Sequence, residues 1–172
     1  AKMRLGYMDR NFTLENAHAI EDAGASWVTV HARTKAEGYT PPAFWDQLRP
    51  IREALKINVI ANGEIWNNTD AKQCQIESGC DDLMIGRAAV TTPDITQCIR
   101  QNTSEALITW NELIQLQVRF LSGPYKKEIN MVGRYKQWLG MMSKHYPEAK
   151  ALWDEVKKVK ALDEITQKLT RY

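Results

Sequence analysis

The sequence predicts an α/β fold over its first hundred residues, followed by a helical segment. Four short apolar runs carry this prediction, because they begin about 25–30 residues apart, the length of one strand–helix unit. The runs do not alternate between apolar and polar residues, which is typical of parallel strands covered on both faces. They are KMRLGY (2–7), WVTVHAR (27–33), INVIANGE (57–64) and LMIGRA (83–88).

Helix signals occupy the gaps between these runs. FWDQLRPIREAL (44–55) carries apolar residues at helical spacing, with Pro50 in a first turn or at a kink. The other gaps hold residues that favour helix caps or first turns. Thr13 is predicted to cap the first helix, Asn68 or Thr69 is predicted to open the helix after the third run, and Thr92 is predicted to cap a helix whose first residue is Pro93. Residues 1–103 are therefore predicted to form four βα units.

Residues 104–172 lack strand signals and predict a helical bundle. TWNE (109–112) has the pattern of a capping box at the start of a helix. An apolar stripe between Met131 and Met142 predicts a second helix. Pro147 is expected to begin a third helix, and a short fourth should begin near Asp163. The sequence thus predicts two domains, 1–103 and 104–172.

Composition and charge narrow the class of protein. The chain has 172 residues, 44% of them hydrophobic and 26% charged, as in ordinary globular proteins. No apolar run approaches the roughly 20 residues that span a bilayer, so no membrane association is predicted. Three cysteines without a CxxC pair favour reduced thiols and a cytoplasmic location. Residues 1–104 carry a net charge of −2 and residues 105–172 carry +4, which indicates either a polyanionic partner or an ordinary solvated surface.

Polar residues follow three of the predicted strands at the point where each strand ends. Because carboxyl ends of parallel strands meet at one rim, where ligands of α/β folds bind, these residues are expected to share a site. Glycines there let backbone N–H groups approach a phosphate, and an arginine can complete an anion site. Taken singly, each residue has a structural alternative, such as a hydrogen-bonded histidine or a turn. The residues are His31, Arg33, Lys35, Asn62, Gly63, Glu64, Gly86 and Arg87.

Several other chemistries lack their motifs. The sequence contains no HExxH, no Cys/His cluster and no GxGxxG, so neither a metal site nor a Rossmann dinucleotide site is predicted. It also lacks the GxSxG nucleophile elbow of α/β-hydrolases. A phosphate-bearing cofactor at the strand ends therefore remains the leading hypothesis.

Taken together, these motifs resemble the tRNA-dihydrouridine synthases, in particular the bacterial C-type subfamily. The resemblance rests on KMRLGY, AGASWVTVHARTKAEGY, INVIANGEIW, SGCDDLMIGRAA and GRYKQWL, and it covers nearly the whole chain. It implies the C-terminal half of an FMN-binding (β/α)₈ TIM barrel, followed by an all-α helical-bundle domain that binds tRNA. It also implies an enzyme that reduces its flavin with NADPH and then reduces a D-loop uridine, uridine 16 in the C-type subfamily.

The resemblance assigns roles to individual residues. It implies that Lys2 and His31 contact the flavin ring system, and that Tyr39 faces the target uracil. The ribityl chain and phosphate of FMN would be held by Asn62, Gly63, Glu64, Gly86 and Arg87. Contacts with tRNA would come from Arg33, Lys35, Arg134, Lys136 and Lys157.

The sequence departs from the family pattern at its beginning. It starts at what resembles the fifth barrel strand, so the loop with the general-acid cysteine is expected outside this chain. Cys74, Cys80 and Cys98 match no such position. We therefore expect a piece of a longer enzyme that is inactive alone and has no catalytic residue of its own. Its open half-barrel is expected to allow self-association through uncovered edges.

Two other functions fit parts of the sequence. The first is a non-catalytic module that binds tRNA or a phosphate ligand. The second is another FMN-dependent TIM-barrel oxidoreductase, of the dihydroorotate dehydrogenase type. The basic tail with GRYKQWL favours a tRNA-linked function over the latter.

Overall fold

Strands and helices alternate through the first hundred residues of the computed structural model, which describes residues 1–123 and 128–172. Within these residues, four parallel strands form one sheet in the order β1-β2-β3-β4. The predicted α/β class with a parallel sheet is confirmed. The strands are β1 (Lys2–Arg4), β2 (Trp27–His31), β3 (Asn58–Asn62) and β4 (Leu83–Met84). The accompanying helices are α1 (Thr13–Asp22), α2 (Arg49–Ala54), α3 (Asn68–Ser78), α4 (Arg87–Thr91) and α5 (Ile95–Arg100).

The part of the chain that the structure describes divides into two compact units. The first unit comprises residues 1–88 and 98–104, and the second comprises residues 89–97 and 105–172. The division therefore passes through α4 and α5 rather than through one linker. The domain boundary near residue 103, between predicted domains 1–103 and 104–172, stays a prediction.

The helices of the first unit begin where local hydrogen bonds or proline favour them. A 3₁₀ turn, Trp45–Leu48, leads into α2, and Pro50 lies in the first turn of α2 as predicted. The cap of α3 is Asn67, whose side chain accepts a hydrogen bond of 2.8 Å from the backbone N–H of Asp70. Thr13 is the first residue of α1 rather than its cap, because its hydroxyl donates to the carbonyls of Leu5 and Arg10.

One face of the sheet packs against the helices and forms the core of the first unit. The side chains of this core are almost fully buried and predominantly apolar, so their removal from water stabilises the layered arrangement. Val28 and Val30 come from β2, and Val59 and Ala61 come from β3. They pack with helix residues that include Ala17, Leu48, Ile51 and Cys74.

The opposite face of the sheet carries many polar side chains. The parallel register aligns Lys2 with Thr29 and aligns Thr29 with Ile60, so these residues share one face. Trp27 lies on the same face as Thr29 and is 52% exposed. This face therefore mixes Lys and Thr with Ile and Trp.

Four helices of the second unit surround a separate apolar core. Thr109 and Glu112 form the predicted capping box at the start of α6, and Pro147 begins α8 as predicted. The core includes Tyr135, Leu139 and Leu152, each with no exposed surface. Among the residues described, no helix is long and apolar enough to cross a membrane. The helices are α6 (Trp110–Leu121), α7 (Glu128–Met142), α8 (Pro147–Val156) and α9 (Leu162–Leu169).

Candidate functional site

A cleft of about 280 Å³ lies at the ends of the parallel strands of the first unit. All seven residues predicted to hold the cofactor line this cleft, although they come from four separate stretches of sequence. The predicted convergence of strand ends is therefore present. The lining residues are Lys2, His31, Tyr39, Asn62, Gly63, Glu64, Ile65, Trp66, Met84, Ile85, Gly86, Arg87 and Ala88.

Lys2 is held within the cleft by residues of two other strands. Its Nζ donates to Oδ1 of Asn62 at 2.8 Å and lies 3.3 Å from Sδ of Met84. The amide of Asn62 donates in turn to the backbone carbonyl of Met84 at 2.7 Å. Burial, and next the positive charge of Arg4, lowers the pKa of Lys2. The ammonium group therefore lies in a fixed position with only part of its hydrogen-bonding capacity used.

His31 ends β2 and lies 6% exposed beside the cleft. Burial, followed by the positive charges of Arg4, Arg33, Lys2 and Arg87, lowers its pKa to about 4. The imidazole is therefore neutral near pH 7, with one nitrogen able to donate a hydrogen bond and the other able to accept one.

Gly63 allows the chain to pass close to His31. A Cβ at Gly63 would lie 2.9 Å from Cδ2 of His31, and the φ angle of +124° disfavours any other residue. The carbonyl of Gly63 accepts a hydrogen bond of 2.7 Å from Nε1 of Trp45. Gly86, in contrast, faces open space, so its backbone can be approached from the cleft.

Glu64 connects two arginines that follow different strands. Its Oε2 forms ion pairs with Nη2 of Arg33 and with Nη2 of Arg87, the latter at 3.4 Å. Its Oε1 accepts a hydrogen bond of 2.7 Å from Nε1 of Trp66. Although burial alone would raise the pKa of Glu64, the hydrogen bonds from Arg33 and Trp66 and the two positive charges lower it. Glu64 is therefore an anion at neutral pH.

Arg33 does not lie where the sequence suggested. Its side chain has no exposed surface, and its Nε donates to the carbonyl of Pro42 at 3.1 Å. A fully enclosed guanidinium cannot reach an RNA molecule in this conformation. The neighbouring Lys35, in contrast, is exposed, and its contact with tRNA stays a prediction.

Tyr39 lies at the mouth of the cleft, on the loop that follows β2. Its ring is 64% exposed and lies 5.8 Å from the ring of His31. The guanidinium carbons of Arg4 and Arg87 each lie 5.2 Å from its centre. Arg4 also donates to the carbonyls of Thr34 and Gly38, at 2.8 and 2.9 Å, which anchors the loop. Tyr39 thus presents one aromatic ring to the cleft at a defined position.

Sequence reasoning missed three contributors to the site. Arg4 anchors the Tyr39 loop, Trp66 binds Glu64, and Met84 contacts Lys2. Trp66 is the last residue of the motif INVIANGEIW, and Met84 lies within the motif LMIGRA. Proximity to those motifs was the one available signal, because neither residue type by itself indicates a binding site.

The basic residues predicted to bind tRNA in the second unit differ in their surroundings. Arg134 is exposed, and its side chain makes no hydrogen bond or ion pair with a described side chain. Lys136 donates through Nζ to the carbonyls of Lys157 and Val159, at 3.0 and 2.5 Å, and so closes the end of α8. Lys157 pairs with the exposed Asp154 at 2.7 Å.

Among the residues described, no group of three or more His, Cys, Asp or Glu side chains could hold a metal ion.

The sequence profile of the dihydrouridine synthase (Dus) family matches residues 1–171. The chain belongs to this family. The resemblance read from its motifs is therefore confirmed. Residues of the HARTK, IANGEI and MIGR motifs together line the cleft.

Curated relatives of this dihydrouridine synthase chain bear the name tRNA-dihydrouridine(16) synthase. The protein from Shewanella oneidensis is 42% identical over 98% of this chain and 54% of its own length. That from Neisseria meningitidis serogroup A is 41% identical over 100% of this chain and 54% of its own length. The protein from Haemophilus influenzae is 36% identical over 98% of this chain and 54% of its own length. The chain thus spans about half the length of the curated relatives it matches.

Proposed function

We propose that this chain is the C-terminal part of an FMN-dependent, NADPH-using enzyme that reduces uridine 16 in the D-loop of tRNA to dihydrouridine. The observation that carries the proposal is the convergence of all seven predicted cofactor residues on one cleft. The names of the curated relatives support uridine 16 as the target. The three cysteines are buried thiols, which agrees with a cytoplasmic location.

The residues of the cleft fit a flavin mononucleotide. Arg87 supplies positive charge for a phosphate, and the open space beside Gly86 allows an anion to approach backbone N–H groups. Lys2 supplies a hydrogen-bond donor for the flavin ring. His31 and Asn62 supply neutral hydrogen-bonding groups suited to a ribityl chain or a flavin ring. When bound, FMN supplies the hydride chemistry, and the protein supplies binding, orientation and electrostatics.

Other residues of the site are suited to orienting the uracil. A base in a folded tRNA must leave its stack to reach a cleft, and exposed aromatic rings stabilise unstacked bases. Tyr39 offers such a ring at the mouth of the cleft, held by the contacts of Arg4 with its loop. We infer that Tyr39 packs against the target uracil, while the fixed ammonium of Lys2 donates a hydrogen bond within the site.

The second unit supplies a basic surface for tRNA. Residues 105–172 carry a net charge of +4, and Arg134 is exposed without a competing partner in the described chain. We infer direct phosphate contacts for Arg134 and the exposed Lys157, whose surface pair with Asp154 is weak. Lys136 contributes charge while it holds the end of α8. Binding should weaken with added salt, because phosphate contacts release condensed counterions.

We propose that the four βα units form half of a (β/α)₈ barrel. The exposed Trp27 and the polar open face of the sheet are then covered by further strands, from the same protein or from another copy. A barrel interior is filled by layers of side chains, and Lys2, Thr29 and Ile60, which share one face of the sheet, would contribute to these layers.

The proposal is tested by incubating the full-length protein with FMN, NADPH and unmodified tRNA, then mapping dihydrouridine along the RNA. Dihydrouridine at position 16 is the expected result, and a tRNA with cytidine at that position is the control. Binding of tRNA without reduction would favour the non-catalytic module instead. Flavin reduction without any effect on tRNA would favour a different FMN oxidoreductase.

A further inference from the structure

Arg33 carries a positive charge that is fully enclosed by the first unit. Its guanidinium contacts Glu64 through Nη2 and the carbonyl of Pro42 through Nε. Among the described residues, its Nη1 has no hydrogen-bond partner. A buried charge is costly unless it is paired, so Glu64 is the group that makes this burial possible.

Glu64 is fully engaged by groups of the protein. One carboxylate oxygen accepts from Trp66, and the other faces Arg33 and Arg87. A carboxylate also repels a phosphate, so the Glu64 side chain is not suited to hold that group directly. Its negative charge would instead attract Arg87 away from a ligand, unless another cation neutralises it. Arg33 is that cation.

Arg87 is oriented but only loosely bound. Its ion pair with Glu64 is 3.4 Å long, and 43% of its side chain is exposed. Its guanidinium carbon lies 5.2 Å from the ring centre of Tyr39 and 5.0 Å from that of Trp66. Such an arrangement leaves most of the five N–H donors of the guanidinium available to an anion.

We propose that Arg33 is a positioning residue for the cofactor phosphate: by neutralising Glu64, it leaves Arg87 free to bind that phosphate. The inference rests on the proposed FMN site. Arg33 itself does not touch the phosphate; it acts through Glu64. A phosphate-bearing flavin is therefore held more tightly when Arg33 is present.

The test compares FMN with riboflavin, which has the same ring and ribityl chain but no phosphate. Dissociation constants of both are measured by flavin fluorescence with the full-length protein freed of its cofactor. The ratio of the two dissociation constants reports how much the phosphate alone contributes to binding. The wild type should prefer FMN, and Arg87→Met, the matched control, should remove most of that preference.

Arg33→Met should reduce the preference for FMN by about tenfold, because an uncompensated carboxylate then competes with the phosphate for Arg87. Riboflavin binding should change by less than about threefold, in keeping with the unchanged ring site. The double variant Arg33→Met with Glu64→Gln should restore the preference to within about threefold of wild type, since both charges are absent. A merely structural role of Arg33 would weaken both flavins equally and leave the ratio unchanged.

The outcomes separate the inference from the function on which it rests. A wild-type protein without preference for FMN would overturn the proposed FMN site and this inference together. A normal wild-type preference that survives in Arg33→Met, or that the double variant does not restore, would overturn the inference alone. Circular dichroism shows whether Arg33→Met folds. If it does not, the double variant Arg33→Met with Glu64→Gln is decisive. A loss of preference for FMN in the double variant as large as that in Arg87→Met would contradict the role of Arg33.

Discussion

The electrostatic state of single residues determines what the cleft can bind. His31 is buried among four cationic side chains, so its imidazole stays neutral at the pH where Lys2 and Arg87 are charged. A neutral imidazole can both donate and accept, which suits a ligand with hydroxyl and carbonyl groups. The phosphate of the proposed cofactor is then bound by the permanently charged Arg87.

The pKa of His31 is a direct test of this arrangement. In the folded protein it should titrate near pH 4, and in the unfolded chain near the ordinary value of about 6.5. Between these values the unfolded state binds more protons, so the free energy of unfolding decreases as the pH falls from about 6.5 to about 4. Above that window this contribution does not change.

Nuclear magnetic resonance of ¹⁵N-labelled histidines measures the titration, with His31→Gln identifying the His31 signal. In His31→Gln, the temperature of unfolding should depend less on pH across this window. His18→Gln, at an exposed position on α1, should keep the pH dependence of the wild type. A titration of His31 near pH 6.5 would contradict the buried, cation-rich environment.

Arg33 and Arg87 show what residue identity alone leaves open. Both follow a strand end, and both were predicted to face a ligand or RNA. Arg33 proves fully buried, while Arg87 is 43% exposed in the cleft. The difference arises from the packing of the loops around Pro42 and Glu64, which no local pattern records.

Individual elements follow local rules most closely where their caps are strong. The capping box of α6 matches its prediction: Thr109 Oγ1 accepts from the backbone N–H of Glu112 at 3.3 Å, and Glu112 Oε2 accepts from the backbone N–H of Thr109 at 2.8 Å. Weaker signals misplace the starts of helices by one to three residues. Thr92 and Pro93, for example, precede α5, which begins at Ile95 after the separate α4.

Removing the cap of α6 should therefore destabilise the second unit. Thr109→Ala should lower the free energy of unfolding by about 1 kcal/mol, because the backbone N–H of Glu112 loses the hydroxyl that accepts its hydrogen bond. Chemical denaturation, followed by circular dichroism of the full-length protein, measures the change. Thr109→Ser, which keeps the hydroxyl, is the matched control and should stay close to wild type. An unchanged stability in Thr109→Ala would show that α6 is held by its apolar face alone.

At the scale of the whole molecule, the chain has no cysteine in the lining of the cleft proposed for the cofactor. Its three cysteines are all buried, and none lines the cleft. Burial raises the pKa of Cys74 to about 12, so its thiol stays protonated in the core. Burial likewise raises the pKa of Cys80. These cysteines are packing residues, which agrees with a general acid supplied from outside this chain.

The 172-residue chain should therefore be inactive by itself. Incubated with FMN, NADPH and unmodified tRNA, it should form no dihydrouridine, whereas the full-length protein should form it under the same conditions. The nucleoside is quantified by mass spectrometry after digestion of the RNA. Robust formation of dihydrouridine by the chain alone would contradict the proposed division of the active site.

The sequence by itself determined the class of fold, the family and the residues that meet at the strand ends. These features depend on periodicity and short motifs, which are local properties of the chain. Only the tertiary structure decided which of the charged residues are enclosed, as Arg33 is, and which side chains, such as Arg4 and Trp66, support the site. Burial and ion pairing join residues 30 or so positions apart, so they depend on how strands and loops pack rather than on any local pattern.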